Sequence, residues 1–502
     1  MGAPRKRALS IFTLQPIIRI HLSSQHTSMS ISKTLIANGW PQGSIIGVAL
    51  TVAENMANSG AEESTIVEML EQVKAAPELY DVAGGIFQEL ATACKGLRVQ
   101  QTNTIRDQPL DAPIWGREII EPAAIDQLQN AMRLPVTVAG ALMPDAHVGY
   151  GIPIGGVVAL ENAVAPYMVG VDIACRMMMS IYPIDRADPF ANASRRQEIK
   201  RAMREETRFG VGAEFKGNER RQHGVMDDTD WEATKMLRHL KDKAYAQLGT
   251  SGSGNHFVDA GVLEIPTDKS ALLGVDAGTY LAFMSHSGSR GVGARIADHY
   301  SRLAQQLTKL PDKLRHLAWL AMESEAGEEY WVSMNMAGKF ASACHHTIHR
   351  ALAKRLGLKP LMQVENHHNF AWLEEWNGKP VYVHRKGATP AHAGVLGIIP
   401  GSQGHNSYIV RGLGNELSLN SASHGAGRVM SRKQALQTIP KKERDAWLSE
   451  RGIELMSGGM DESPQVYKDI NQVLALQTDL IEPIATFTPK IVLMSSDGKS
   501  ED

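Results

Sequence analysis

The stretch YMVGVDIACRMMMSIYPI, Tyr167–Ile184, decides how the chain is read. An apolar run punctuated by a single glycine reads as a buried strand entered through a tight turn. GIPIGGVVAL, Gly151–Leu160, has the same character just upstream. Asp172 and Cys175 lie in the turn, three residues apart. In a strand beside a turn, that spacing lets both side chains approach one ion.

Outward from this centre the pattern changes. Residues 29–98 read as helical, with amphipathic runs over Glu63–Val73 and Tyr80–Cys94. Ala187–Gly249 is charged and helical, ending at Gly249 as a C-cap would. A long helical pattern runs from about Glu323 to Leu356. Strand-and-turn character returns over Pro360–Arg411, and helices are expected over Arg432–Arg451 and Pro464–Leu476. With neither repeat nor linker, the economical architecture is one α/β unit spanning 29–494. Residues 495–502 then form a tail. The first 28 residues are basic, serine-bearing and free of acids. They superficially suit a transit peptide, but read better as a disordered extension or as sequence upstream of a start at Met29.

Composition narrows the class. The chain has 502 residues, 43% hydrophobic and 21% charged, with a formal net charge of -2. No apolar run reaches membrane-spanning length, and the balanced charge means any RNA contact must come from local basic patches. Cys94, Cys175 and Cys344 are too scattered for a disulfide framework. A reducing, cytoplasmic setting follows.

Six segments combine glycine with metal ligands or anion binders: MPDAHVGYG (Met143–Gly151), VGVDIACRM (Val169–Met177), LGTSGSGNHF (Leu248–Phe257), SHSGSRG (Ser285–Gly291), ENHHNF (Glu365–Phe370) and SASHGAGR (Ser421–Arg428). Alone, each is weak. A mixed set of carboxylate, thiolate and imidazoles from Asp172, Cys175, His256, His286 and His368 suits Mn, Zn or Fe. Taken by itself, Cys175 is equally a small buried apolar residue. LGTSGSGNHF and GIIPGSQGHNSY (Gly397–Tyr408) can form anion-binding nests or simple tight turns, and neither carries a Walker signature. His424, followed by Arg428, has the chemistry of a phosphoramidate-forming nucleophile or of a histidine packed in a turn. CHHTIHR (Cys344–Arg350) places His345 and His349 four apart but lacks the HExxH glutamate, so it reads as a helix face.

Together with HRKGAT (His384–Thr389) and DESPQVYKDI (Asp461–Ile470), these motifs resemble the RtcB family of RNA ligases over about Met143–Ile491. The resemblance implies β-sheets surrounded by helices around a central metal cleft. It also implies two Mn²⁺ ions, Asp172, Cys175 and His256 serving one, and Cys175, His286 and His368 the other. The guanylylated histidine falls on His424. Nucleotide-binding positions fall on Asn255, His256, Phe257, Val258 and Asp259, and on His368 and Asn369. They continue through Pro400, Gly401, Ser402, Gln403 and Ser407, and through His424, Gly425, Ala426 and Gly427.

The implied reaction uses GTP to join RNA 3′-phosphate or 2′,3′-cyclic phosphate ends to 5′-hydroxyl ends, with an activating protein as a possible partner and no membrane. Arg290, Arg385, Lys386 and Arg428 are RNA or phosphate candidates, beside the basic stretches Arg195–Arg208, Lys216–Arg221 and Arg428–Lys433. Several positions depart from the family pattern. Ala174 and Arg176 flank the thiol, Asp259 stands for glutamate, Gln403 for methionine in IPGSMG, and Met494 for a nucleotide-contacting lysine. Two rivals therefore stay open. One is a nucleotidyltransferase acting on RNA 3′-phosphates with another nucleotide or acceptor. The other is a non-catalytic RNA- or metal-binding protein.

Overall fold

The computed structural model describes residues 31–41, 43–101, 105–184 and 189–496. The proposed extension at 1–28 and all but two residues of the proposed tail lie outside that range. Of those two, Ser495 is buried and its N–H donates to the His256 carbonyl at 3.1 Å.

Two compact units divide the chain, Met1–Gln101 and Thr102–Asp502, where the sequence reading treats 29–494 as one. In the first, helices Ser44–Asn58, Glu63–Ala75 and Gln88–Gln101 form; the run Glu63–Val73 is helical as expected, whereas that over Tyr80–Cys94 becomes helical only from Gln88. Ile45, Ala49 and Val52 repeat at helical spacing, as do Ile66, Leu70 and Val73. These faces close on Leu35 and Trp40 to make a core of their own.

The second unit is built on two main sheets, antiparallel but for one strand, beside two small two-stranded ones. The smaller main sheet runs Thr137–His147, Ile154–Leu160, Lys379–Lys386 and Phe370–Trp376. The larger has eight strands. Seven follow one path: Leu396–Ile399, Ser407–Gly412, Ile481–Met494, Phe257–Ile265, Gly278–Ser287, Arg176–Tyr182 and Met362–His367. Glu454–Ser457 pairs in parallel with Ile481–Met494. The outermost strands meet through a side chain. Asn366 Oδ1 accepts from the Ile398 N–H at 2.9 Å, and its Nδ2 donates to the Ile398 carbonyl at 3.3 Å, curling the sheet toward closure.

The helices follow the reading in part: within Ala187–Gly249 the described residues are α-helical only over Ala193–Glu206 and Lys235–Gln247. Glu325–Leu356 starts at Ser324, whose Oγ accepts from the Gly327 N–H, and stops at Gly357, φ 64°. The region expected as one helix over 432–451 is two, Arg432–Thr438 and Lys441–Glu450, because Pro440 lacks the N–H and the space to continue. Over 464–476 only Ile470–Ala475 is α-helical. No helix among the described residues is long and apolar enough to cross a membrane.

Candidate active site

Antiparallel pairing gathers the ligand candidates. Cys175 precedes Arg176–Tyr182, His286 sits near the end of Gly278–Ser287, His368 follows Met362–His367, and His256 precedes Phe257–Ile265. Neighbouring antiparallel strands alternate start and finish, so all four arrive at one end of the sheet. The register confirms it: Arg176 lies opposite both Ser287 and His367, and Phe257 opposite His286.

There Cys175 Sγ is 3.4 Å from His256 Nε2 and 3.1 Å from His286 Nε2. His286 Nε2 lies 3.2 Å from His368 Nε2, and His256 Nε2 lies 3.0 Å from Asp172 Oδ2. All five side chains are buried. Two triads able to hold a metal ion result, Asp172–Cys175–His256 and Cys175–His286–His368, with donor atoms within 4.8 Å in each. Burial pushes the His286 imidazole down to about 3 and that of His368 well below its usual value, so their lone pairs stay free of protons. Burial would raise the Asp172 carboxyl, but the His256 ring, with Cys175 and Arg290, holds it below the usual range. His286 Nδ1 donates to the Asn255 carbonyl at 3.2 Å, which leaves Nε2 as the lone pair facing the thiol. A soft sulfur, three imidazoles and a carboxylate, buried together and neutral where they need to be, fit a divalent transition metal pair.

His424 follows the Ser421–Ser423 strand, and its ring centroid is 4.7 Å from that of His368. Its Nδ1 lies 2.7 Å from Asp145 Oδ2, which also accepts the His424 and Gly425 N–H groups at 3.2 and 3.3 Å. Asp145 is held in turn by Lys468, whose Nζ donates at 2.9 Å to the carbonyls of Pro144 and Ala146, on either side of it. Gly427, φ 77°, passes so close that a Cβ would lie 2.0 Å from the Asp145 carbonyl oxygen. Asp145 and Lys468 were not singled out in the sequence, although MPDAHVGYG and DESPQVYKDI contain them. An ordinary-looking aspartate and lysine carry no signal until the fold brings them to His424.

A single cavity is lined by Cys175, His286, His368 and His424, with Asn255, Phe257, Asp259 and Asn369 on further walls. Pro400 to Gln403 and Gly425 to Arg428 complete it, so most nucleotide candidates converge. Val258 does not. Strand alternation points it away, into the core with Phe283 and Ile491. Ser407 stands behind the loop, its Oγ accepting from the Gly401 N–H at 3.2 Å.

The basic candidates divide. Arg428 lines the cavity and reaches Glu462 and the Asp461 carbonyl. Arg290 packs behind the metal triad, its Nη1 3.3 Å from His256 Nδ1. Arg385 is fully buried, held by Glu374, Ser421 and the Leu419 carbonyl, and cannot meet RNA. Lys386 is likewise turned inward, to the Tyr150 and Tyr167 carbonyls. In the outlying stretches, Arg195, Arg208 and Arg221 pair with Glu198, Glu219 and Glu206.

Arg176 is buried and pairs with the partly exposed Glu365. The CHHTIHR segment is more than a helix face. His345 Nε2 meets the Ser287 carbonyl, Ser285 Oγ bridges His345 Nδ1 and His349 Nε2, and His349 Nδ1 meets Ser180 Oγ. Both rings are buried and pushed toward the neutral form, His349 down to about 3, chiefly by burial.

Comparison with known proteins identifies the family. The family model described as “RtcB: tRNA-splicing ligase RtcB” matches residues 127–495. The RNA-splicing ligase RtcB of Escherichia coli strain K12 is 35% identical over 405 residues, covering 75% of this chain and 96% of its own. The tRNA-splicing ligase RtcB of Nanoarchaeum equitans is 32% identical over 441 residues, covering 74% and 92%. The RNA-splicing ligase RtcB of Mycobacterium tuberculosis is 30% identical over 430 residues, covering 72% and 98%. With its matched region containing both triads, His424 and the cavity between them, the chain belongs to the RtcB family.

Proposed function

We propose that the chain is an RNA ligase that joins RNA 3′-phosphate or 2′,3′-cyclic phosphate ends to 5′-hydroxyl ends, using a nucleoside triphosphate, GTP by family expectation. The observation that carries this reading is His424. Its Nδ1 is pinned by Asp145 while its ring sits against His368 of a metal-competent triad. With Nδ1 donating its proton to the carboxylate, Nε2 holds the lone pair needed for attack.

That lone pair forms a bond to the α-phosphorus, and the bond to pyrophosphate breaks. An oxygen of the RNA 3′-phosphate then attacks the same phosphorus, and the N–P electrons return to the ring. The 5′-hydroxyl next attacks the RNA phosphate and the nucleoside monophosphate departs. A cyclic phosphate is first opened by water. Asp145 keeps the ring oriented through the cycle, and Arg428 contributes positive charge at the cavity wall. Asp172, Cys175 and His256 would hold one Mn²⁺ and Cys175, His286 and His368 a second. Metal bound there offsets the charge of the phosphates.

Incubation with labelled GTP and Mn²⁺ tests the reading. It expects an acid-labile adduct that vanishes in His424→Ala, and ligation of a 3′-phosphate RNA to a 5′-hydroxyl RNA. Adduct without ligation would leave only the nucleotidyltransferase, and neither would leave a binding protein.

A further inference from the structure

Sealing releases one proton, because the 5′-hydroxyl loses it as its oxygen bonds to the RNA phosphorus. The Asp145 carboxylate is committed to the His424 segment, and His256, His286 and His368 belong to the metal triads. A further histidine lines the same cavity, His147, the last residue of the strand Thr137–His147. Its Nδ1 lies 3.1 Å from the Asp145 carbonyl oxygen. A carbonyl only accepts, so Nδ1 carries the proton and Nε2 the lone pair. Asp145 thus sets two tautomers, with its carboxylate on Nδ1 of His424 and its carbonyl on Nδ1 of His147. Among the described residues no hydrogen bond reaches His147 Nε2.

The backbone carrying this ring is fixed on both sides. His147 lies opposite Ile154, the Val148 N–H donates to Glu121 Oε1 at 2.9 Å, and Gly149 exchanges two hydrogen bonds with the Gln127 amide. A Cβ on Gly387 would collide with Ile154 and press on the His424 ring, so the strand partner of His147 and the nucleophile share one corner. Burial pushes the His147 imidazole down to about 4, against the Asp145 carbonyl and carboxylate, and the nearby His424 and Lys468 push the same way. The ring therefore enters the cycle neutral. RNA phosphates in the cavity favour its charged form and strengthen it as a base.

We propose that His147 is a catalytic residue of the sealing step, its Nε2 accepting the proton of the attacking 5′-hydroxyl. The oxygen–phosphorus bond forms, the bond from that phosphorus to the departing nucleoside monophosphate breaks, and the hydroxyl proton passes to Nε2. The imidazolium then returns the proton to water. The assignment rests on the ligation reading above. The rival acceptor is His424 Nε2, which regains its lone pair once the nucleotidyl group has left.

The test gives the full-length protein Mn²⁺, GTP, a 3′-phosphate RNA and saturating 5′-hydroxyl RNA, and measures His424 labelling and sealing separately. His147→Asn keeps a donor for the Asp145 carbonyl and has no basic nitrogen. Its ratio of sealing rate to labelling rate should fall by about a hundredfold or more, with the nucleotide-capped RNA accumulating. In His147→Ala, added imidazole should restore that ratio by about tenfold or more. A ratio within about threefold of the parent in His147→Asn, as His424 acting as the base would give, overturns the proposal. Should His147→Asn lose labelling altogether, the imidazole result decides, and no restoration overturns the proposal. A parent protein that labels His424 and never seals overturns the ligase reading and this assignment together. A parent that seals while His147→Asn keeps its ratio overturns the assignment alone.

Discussion

One carboxylate oxygen, Asp145 Oδ2, touches three hydrogens of the His424 segment: the ring Nδ1 at 2.7 Å and the His424 and Gly425 N–H groups. It sets the ring's tautomer and its height above the metal triads at once. Asp145→Asn can still fill the space but no longer enforces the tautomer. The rate of His424 labelling should fall by about a hundredfold or more, with bound metal unchanged. A rate within about threefold of the parent would remove Asp145 from this role.

Cys175 is the one side chain common to both triads. Cys175→Ala therefore weakens both metal positions, whereas His368→Ala weakens one. Each affected position should lose affinity by about a hundredfold, at or beyond the loss from removing an outer hydrogen-bond partner. Metal analysis after equilibrium dialysis reads the difference, and equal losses in the two variants would contradict a shared sulfur.

Ala174 occupies the left-handed region, φ 56°, where its N–H donates to the Asn369 carbonyl at 2.8 Å. The family pattern has glycine there. Left-handed backbone costs an alanine about 1–2 kcal/mol, part of which the greater freedom of unfolded glycine cancels. Ala174→Gly should stabilise the protein by up to about 1 kcal/mol in denaturant unfolding. Destabilisation would mean that the strain is compensated locally.

Burial holds His349 at about 3, against about 6.5 in the unfolded chain. As pH falls below 6.5, the unfolded chain takes up the proton first. Stability from this group is therefore complete above about 6.5 and declines as pH drops toward 3, by about 1.4 kcal/mol per unit. Stability measured between pH 7 and pH 5 should carry this slope as one share beside those of His286, His345 and His368, and His349→Gln should remove that share. An identical slope in the variant would assign the effect to His345 or other groups.

Arg385 and Glu374 form an ion pair in which the arginine is fully buried. Removing one partner strands the other, so Arg385→Ala should destabilise by about 3–5 kcal/mol. RNA affinity per folded molecule should not change. Loss of affinity with an unaltered melting temperature would restore the expectation of an RNA contact.

The sequence showed the gathering of ligands better than it showed their supports. Asp172, Cys175, His256, His286 and His368 are residue types with few reasons to recur beside glycines, and GIPIGGVVAL carried the strand signal in its apolar pattern. Asp145 and Lys468 were invisible because their meaning lies in a contact across more than three hundred residues. Arg385 misled for the opposite reason: a charged residue in a motif looks available until Glu374 is found beside it. The histidines at 345 and 349 read only as a helix face because periodicity cannot tell which side of a helix is covered.

The strand Ile481–Met494 lies inside the large sheet, between Ser407–Gly412 and Phe257–Ile265, both far earlier in the chain. A growing polypeptide must therefore hold a gap in that sheet until synthesis has passed Met494. Hydrogen-bonding edges on both sides of the gap wait exposed, an arrangement that slows folding and invites wrong pairings. Premature termination before Ile481 would leave a product that is open at its middle, not merely trimmed at its end.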